Sequence, residues 1–79
     1  MTLTQHIKEN LDLNALVDAV RQGRLNITQI IEIACRRWQS EMIASQWYKD
    51  NRRNIGLMLE TIEANKRDAI AFLKGETTR

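Results

Sequence analysis

The residues in this sequence that could carry chemistry are few. There is one cysteine, Cys35, and one histidine, His6. A single cysteine excludes an intrachain disulfide and a zinc site built from cysteines, and a single histidine excludes a two-histidine metal site within one chain. Ser40 and Ser45 have no histidine near them in sequence, and no glycine-rich phosphate loop is present. We therefore expect a protein that is not an enzyme and has no cofactor and no metal.

Three of the remaining reactive side chains have simpler structural explanations. Cys35 falls on an apolar stripe at helical spacing, which predicts a buried structural thiol. Glu60 and Glu63 are one helical turn apart, but no histidine follows at the spacing that metal sites in helical bundles use. Glu63 also precedes Lys66 at the spacing of a helix-surface ion pair, so we interpret these carboxylates as surface charges.

The excess positive charge is confined to the middle of the chain. Residues 1–35 hold three Lys or Arg against four acids, and residues 54–79 hold four of each. Residues 36–53 hold five bases against two acids, together with Trp47 and Tyr48. Four of these bases form the predicted electrostatic contact: Arg37, Lys49, Arg52 and Arg53.

Three interpretations of this basic segment remain open. It could be a solvated helix end with cations near the negative pole of the helix dipole. It could bind nucleic acid, since bases interleaved with aromatic rings suit phosphates and unstacked nucleobases. It could also contact an acidic protein surface, because Arg pairs with carboxylates as readily as with phosphates. Of the two binding interpretations we favour the acidic protein. Neither the long helix nor the pair of helices around Gly23 has the turn and the polar residues that a DNA-binding helix-turn-helix motif needs.

The elements that must position these residues are helices. The chain has 79 residues, no proline and three glycines, with 43% apolar and 28% charged residues, which is typical of one small globular domain. A sheet of this length would need turn signals between alternating strands, and none is present. We expect short helices at 4–11 and 12–22, long helices at about 27–49 and 55–74, a C-terminal stop at Gly75 and a frayed tail at 76–79.

This pattern predicts an all-α fold, namely a small bundle of three to four helices in which the two long ones form a hairpin. Asn26 is the expected N-cap of the long helix, and Gly23 is the expected left-handed residue that ends the helix before it. A chain this short has a marginal core, so we expect self-association to complete the bundle.

The long helix has apolar residues on two opposite sides. Trp38 belongs to the main stripe, whereas Trp47 comes nine residues later and would lie about 180° away on a continuous helix at 100° per residue. Arg36, Ile43 and Trp47 fall on this second side, and they form the predicted protein-contact face. Trp and Arg are common among the residues that dominate interface energies.

The second side has three explanations. The helix could bend near Ser40 so that both tryptophans join one core, or the face could bind a different protein. We favour a homo-oligomer, with a dimer first, in which the face packs on a copy of itself. On this model Trp47→Ala weakens association by about 2 kcal/mol or more and leaves the helix content intact.

The leading hypothesis is therefore a non-enzymatic helical regulator of adaptor or inhibitor type, which self-associates and occupies a surface on another macromolecule. The alternative is a small nucleic-acid-binding regulator that uses the Arg52–Arg53 end. The short, proline-free and helix-rich chain is similar in size to accessory regulators encoded by phages and plasmids. This similarity does not indicate a mechanism. The sequence has no signal-peptide layout, no membrane-spanning segment and no amphipathic membrane-surface pattern, so we expect a cytoplasmic protein without membrane contact.

Overall fold

The computed structural model describes residues 2–78, which form five helices and no strand, so the all-α class is confirmed. The helices are α1 (Leu3–Asn10), α2 (Leu13–Arg21), α3 (Ile27–Ile43), α4 (Gln46–Asn51) and α5 (Ile55–Thr77). They make an elongated body of 42 × 20 × 17 Å.

Polar side chains fix where the helices begin. Asn26 accepts a hydrogen bond from the backbone N–H of Gln29 (2.8 Å), and the Gln29 side chain accepts one from the backbone N–H of Asn26 (3.0 Å). This capping box satisfies N–H groups that the first turn of α3 leaves without helical partners. Thr2 forms the same box at α1, and Asp12 caps α2. Gly23 has φ +76°, the left-handed conformation expected after α2.

The core lies where α1, α3 and α5 meet, and α2 packs on α5. Leu3 donates its backbone N–H to Asn65 (3.0 Å), and the Lys8 ammonium lies over the Phe72 ring, 4.9 Å from its centroid, so α1 runs along α5 in the same direction. The buried residues that form the core are Leu3, Ile7, Ile30, Ile31, Ala34, Cys35, Trp38, Ala69 and Leu73.

A polar contact between His6 and Glu41 links α1 to α3. His6 is 2% exposed, and its Nδ1 lies 3.1 Å from Glu41 Oε2. A carboxylate only accepts hydrogen bonds, so this contact requires a proton on Nδ1. The other ring nitrogen, Nε2, is buried and has no hydrogen-bond partner within residues 2–78. His6 is therefore part of the helix-packing interface.

The long helix expected at 27–49 is two helices. α3 ends at Ile43, and Ser45 then caps α4 by accepting a hydrogen bond from the backbone N–H of Tyr48 (3.2 Å). The Ser45 hydroxyl also donates to the Met42 carbonyl, which accepts the Ser45 backbone N–H as well (3.0 Å). Ser45 thus lies at the end of α3 and caps the start of α4. The break in the long helix comes about one turn after Ser40, the position near which a bend is one explanation of the two apolar sides.

The last helix continues through Gly75 to Thr77, so the expected stop at Gly75 is wrong. The carbonyls of this last turn find side-chain donors. Arg21 Nη2 donates to the Glu76 carbonyl (3.2 Å), and the Thr77 hydroxyl donates to the Leu73 carbonyl (2.9 Å). These bonds remove the need for a left-handed glycine cap. Of the tail expected to fray, Arg79 lies outside the described residues.

Candidate interaction surfaces

The outer face of α3 presents apolar and basic side chains together. Ile33 and Ile43 are 53% and 54% exposed. Arg36 is exposed between them at helical spacing, and Arg37 is exposed beside it. Neither arginine forms an ion pair within the described part of the chain. Two of the three predicted contact-face residues, Arg36 and Ile43, therefore share this surface.

Trp47 is on a different surface from the one that the continuous helix predicts. Because the chain turns at Ala44–Ser45, Trp47 lines the same cleft as the buried Trp38. Trp47 is 37% exposed and Trp38 is 3% exposed. The cleft has a volume of about 280 Å³ and is lined by Thr2, Trp38, Met42, Ser45, Trp47, Thr61 and Asn65. The structure therefore separates Trp47 from the face formed by Arg36 and Ile43.

The predicted electrostatic residues fall in two places. Arg37 is on α3, whereas Lys49 is exposed on α4, and Arg52 and Arg53 are exposed where α4 leads into α5. The last three cations lie at the same end of the molecule as the N-terminus of α5, whose dipole adds positive potential. Asp50 lies among them and accepts a hydrogen bond from the Gln46 side chain (2.9 Å). The structure thus gathers three of the four cations at one end and leaves Arg37 apart.

Arg37 instead borders a small aliphatic cavity at the junction of α1, α2 and α3. The cavity has a volume of about 160 Å³ and is lined by Leu11, Leu16, Leu25, Ile30, Ile33 and Arg37. Its walls are aliphatic except for the guanidinium. This arrangement could accept an apolar side chain that lies next to a carboxylate.

Sequence reasoning did not identify the two most exposed large apolar side chains of residues 2–78. Ile55 and Leu59 have the spacing of an apolar helix stripe, which is typical of core residues. They are instead 70% and 59% exposed. Periodicity shows which side chains share a helix face, but it does not show whether another element covers each turn of that face. No signal in the sequence distinguishes these two positions from the buried Met58.

The expected burial of Cys35 is confirmed. The thiol is 3% exposed, and its sulfur accepts a hydrogen bond from the Gln39 side chain at 3.2 Å. The Glu63–Lys66 ion pair is present at 4.0 Å between two solvent-accessible side chains. Among residues 2–78, no three His, Cys, Asp or Glu side chains cluster in a way that could hold a metal ion.

None of the five helices described is long and apolar enough to cross a membrane. Comparison with known proteins gives no relative for this chain: no family model, no curated protein and no solved structure matches it.

Proposed function

We propose that this chain is a non-enzymatic helical binding protein, which self-associates and regulates another macromolecule by occupying its surface. The observation that carries the proposal is the outer face of α3, where Ile33 and Ile43 are each more than half exposed beside Arg36 and Arg37. Burying one such aliphatic side chain contributes roughly 1.5–3 kcal/mol, so a partner that covers this face gains from both.

The arginines define the chemistry of the partner. Each guanidinium presents a planar set of donors that matches a carboxylate, and neither arginine has a carboxylate partner within residues 2–78. The aliphatic cavity beside Arg37 adds a place for an apolar side chain next to that carboxylate. These features favour a protein partner with an acidic surface that also carries apolar side chains.

Fluorescence anisotropy tests this partner class. The probes are a labelled synthetic helical peptide with Leu on one face and Glu on the other, and a control peptide with Lys in place of Glu. We expect binding of the Glu peptide only. Ile43→Ser should weaken it about tenfold, equivalent to ~1.4 kcal/mol, whereas Ala71→Ser at an exposed position of α5 should not. Equal binding of both peptides, or no effect of Ile43→Ser, contradicts the proposal.

The second candidate function is nucleic-acid binding at the other end of the molecule. The observation that favours it is the grouping of exposed Lys49, Arg52 and Arg53 before the N-terminus of α5. A labelled short duplex DNA distinguishes this function, since its binding would fall steeply with salt concentration. Replacing Arg52 and Arg53 together by Gln should then flatten that dependence, and an unchanged slope excludes these two residues as phosphate contacts.

A further inference from the structure

The first two turns of α5 carry an apolar surface that no other element covers. Ile55 and Leu59 have the highest exposed fractions, 70% and 59%, among the large apolar side chains of residues 2–78. They are four residues apart, so they lie one above the other on the same side of the helix. Two such neighbours form a continuous apolar strip at the end of the bundle.

A shallow depression continues this surface along α5. It is lined by Leu59, Glu60, Glu63, Ala64 and Arg67. Positions 60, 63, 64 and 67 have the spacing i, i+3, i+4 and i+7, which surrounds a hole for one side chain of a facing helix in knobs-into-holes packing. Ala64 leaves this hole open because its side chain is a single methyl group.

A second copy of the chain has side chains that match both the apolar strip and the depression. When two α5 helices pack antiparallel about a two-fold axis at the level of Leu57, Ile55 of each copy meets Leu59 of the other. Arg52 and Arg53, which precede Ile55 in the chain, then lie over the partner's depression, whose lining includes Glu60 and Glu63. An isologous contact of this kind uses the same patch on both copies and closes as a dimer.

The charges around the strip also favour the antiparallel arrangement. Arg52 and Arg53 come directly before α5, and neither forms an ion pair within residues 2–78. Glu60 and Glu63 lie one to two turns into the helix, and the Glu63 contact with Lys66 is a long one at 4.0 Å. Antiparallel packing brings the arginines of one copy towards the glutamates of the other, whereas parallel packing would bring arginines towards arginines.

We propose that the N-terminal half of α5 is the surface through which two copies of this chain pair antiparallel, with Ile55 against the partner's Leu59 and Arg52 and Arg53 facing Glu60 and Glu63. This inference rests on the self-association included in the proposed function, and it assigns that association to α5. It leaves the outer face of α3 available for a different macromolecule.

Charge reversal tests the pairing, with the dimer dissociation constant measured by sedimentation equilibrium at low salt. The first variant carries Arg52→Glu and Arg53→Glu, and the second carries Glu60→Arg and Glu63→Arg. Each places like charges across the antiparallel contact, so we expect each to weaken the dimer about tenfold or more. The variant with all four changes restores opposite charges and should return the dissociation constant to within about threefold of the original.

A matched control separates this effect from net charge. Arg24→Glu with Lys74→Glu changes the net charge by the same amount as the first variant, at exposed positions away from the start of α5. We expect this control to dimerise like the unmodified chain, and circular dichroism confirms that every variant folds. If the control weakens the dimer as much as the first variant does, or if the four-residue variant fails to recover, the α5 pairing is wrong.

One outcome distinguishes this inference from the proposed function. If Ile43→Ser abolishes the dimer while the α5 charge variants do not, self-association stands and the α5 surface is overturned. If the unmodified chain is monomeric at every concentration, both self-association and its assignment to α5 fail.

Discussion

Trp38 and Trp47 line one cleft, although on an unbroken helix they would lie on opposite sides. The turn at Ala44–Ser45 redirects the chain and brings the second indole back to the bundle. This relationship removes Trp47 from the outer face of α3, and it gives the two tryptophans different environments within the same cleft.

The two indoles should respond differently to a soluble quencher. Trp38→Phe leaves only Trp47, which is 37% exposed, and Trp47→Phe leaves only Trp38, which is 3% exposed. Acrylamide should therefore quench the first variant several times more strongly than the second. Equal quenching constants would show that Trp47 is as buried as Trp38.

Truncation of the same residues should also differ in cost. Trp38→Ala should lower the free energy of unfolding by about 3–5 kcal/mol, the range for large aromatic side chains in a core. Trp47→Ala should cost less because part of the side chain is already in water, and the helix content should persist. Urea unfolding followed by circular dichroism measures both. A Trp47→Ala variant that fails to fold would make Trp47 a core residue.

The end of α3 depends on Ser45. Ser45→Ala should destabilise the protein by about 1 kcal/mol, since it removes the N-cap of α4 and the donor to the Met42 carbonyl. Ser40→Ala is the matched control, because its hydroxyl bonds back to the Arg36 carbonyl within the helix (3.2 Å). Such mid-helix bonds add little, so this variant should be neutral or slightly stabilising in urea unfolding. Equal costs would contradict the capping role of Ser45.

Two glycines should respond in opposite directions to alanine. Gly23 has φ +76°, so Gly23→Ala should destabilise the fold by about 1 kcal/mol. Gly75 lies within α5, and a Cβ there would meet no atom within 4 Å. Gly75→Ala should therefore stabilise the fold by about 0.5–1 kcal/mol. Thermal unfolding measures both variants. If Gly75→Ala destabilises the fold, Gly75 ends the helix, in contradiction to the structure.

The contact between α1 and α3 depends on Glu41. Glu41→Leu removes the acceptor for the buried Nδ1–H of His6, which should cost about 1–3 kcal/mol. Glu32→Leu is the matched control at an exposed position of the same helix, and its effect should be within about 0.5 kcal/mol of zero. Urea unfolding measures both. If the two variants lose the same stability, the His6 contact does not hold α1 in place.

Local signals predicted most of the fold. Asn26 and Gly23 identify a helix start and a helix end because each has a conformational or hydrogen-bonding property that few other residues share. The break after Ile43 could not be predicted in the same way. Ser45 either continues a helix or caps one, and the neighbouring residues do not decide between the two.

The candidate surfaces were less predictable than the helices. The outer face of α3 follows from spacing, since Arg36 and Ile43 lie on one helix opposite its core stripe. The strip formed by Ile55 and Leu59 does not follow, because these residues have core spacing but lie on a side of α5 that no other helix of residues 2–78 covers. Exposure at such positions depends on the length and direction of neighbouring elements, which periodicity does not report.

The solution mass tests the central claim, that this protein self-associates through exposed apolar side chains. Light scattering over a concentration series, at low and high salt, gives that mass directly. We predict that it rises with concentration from the 9.2 kDa of one chain towards twice that value, with a weaker dimer at high salt because ions screen the charged contacts. A mass of 9.2 kDa at every concentration and salt would contradict self-association.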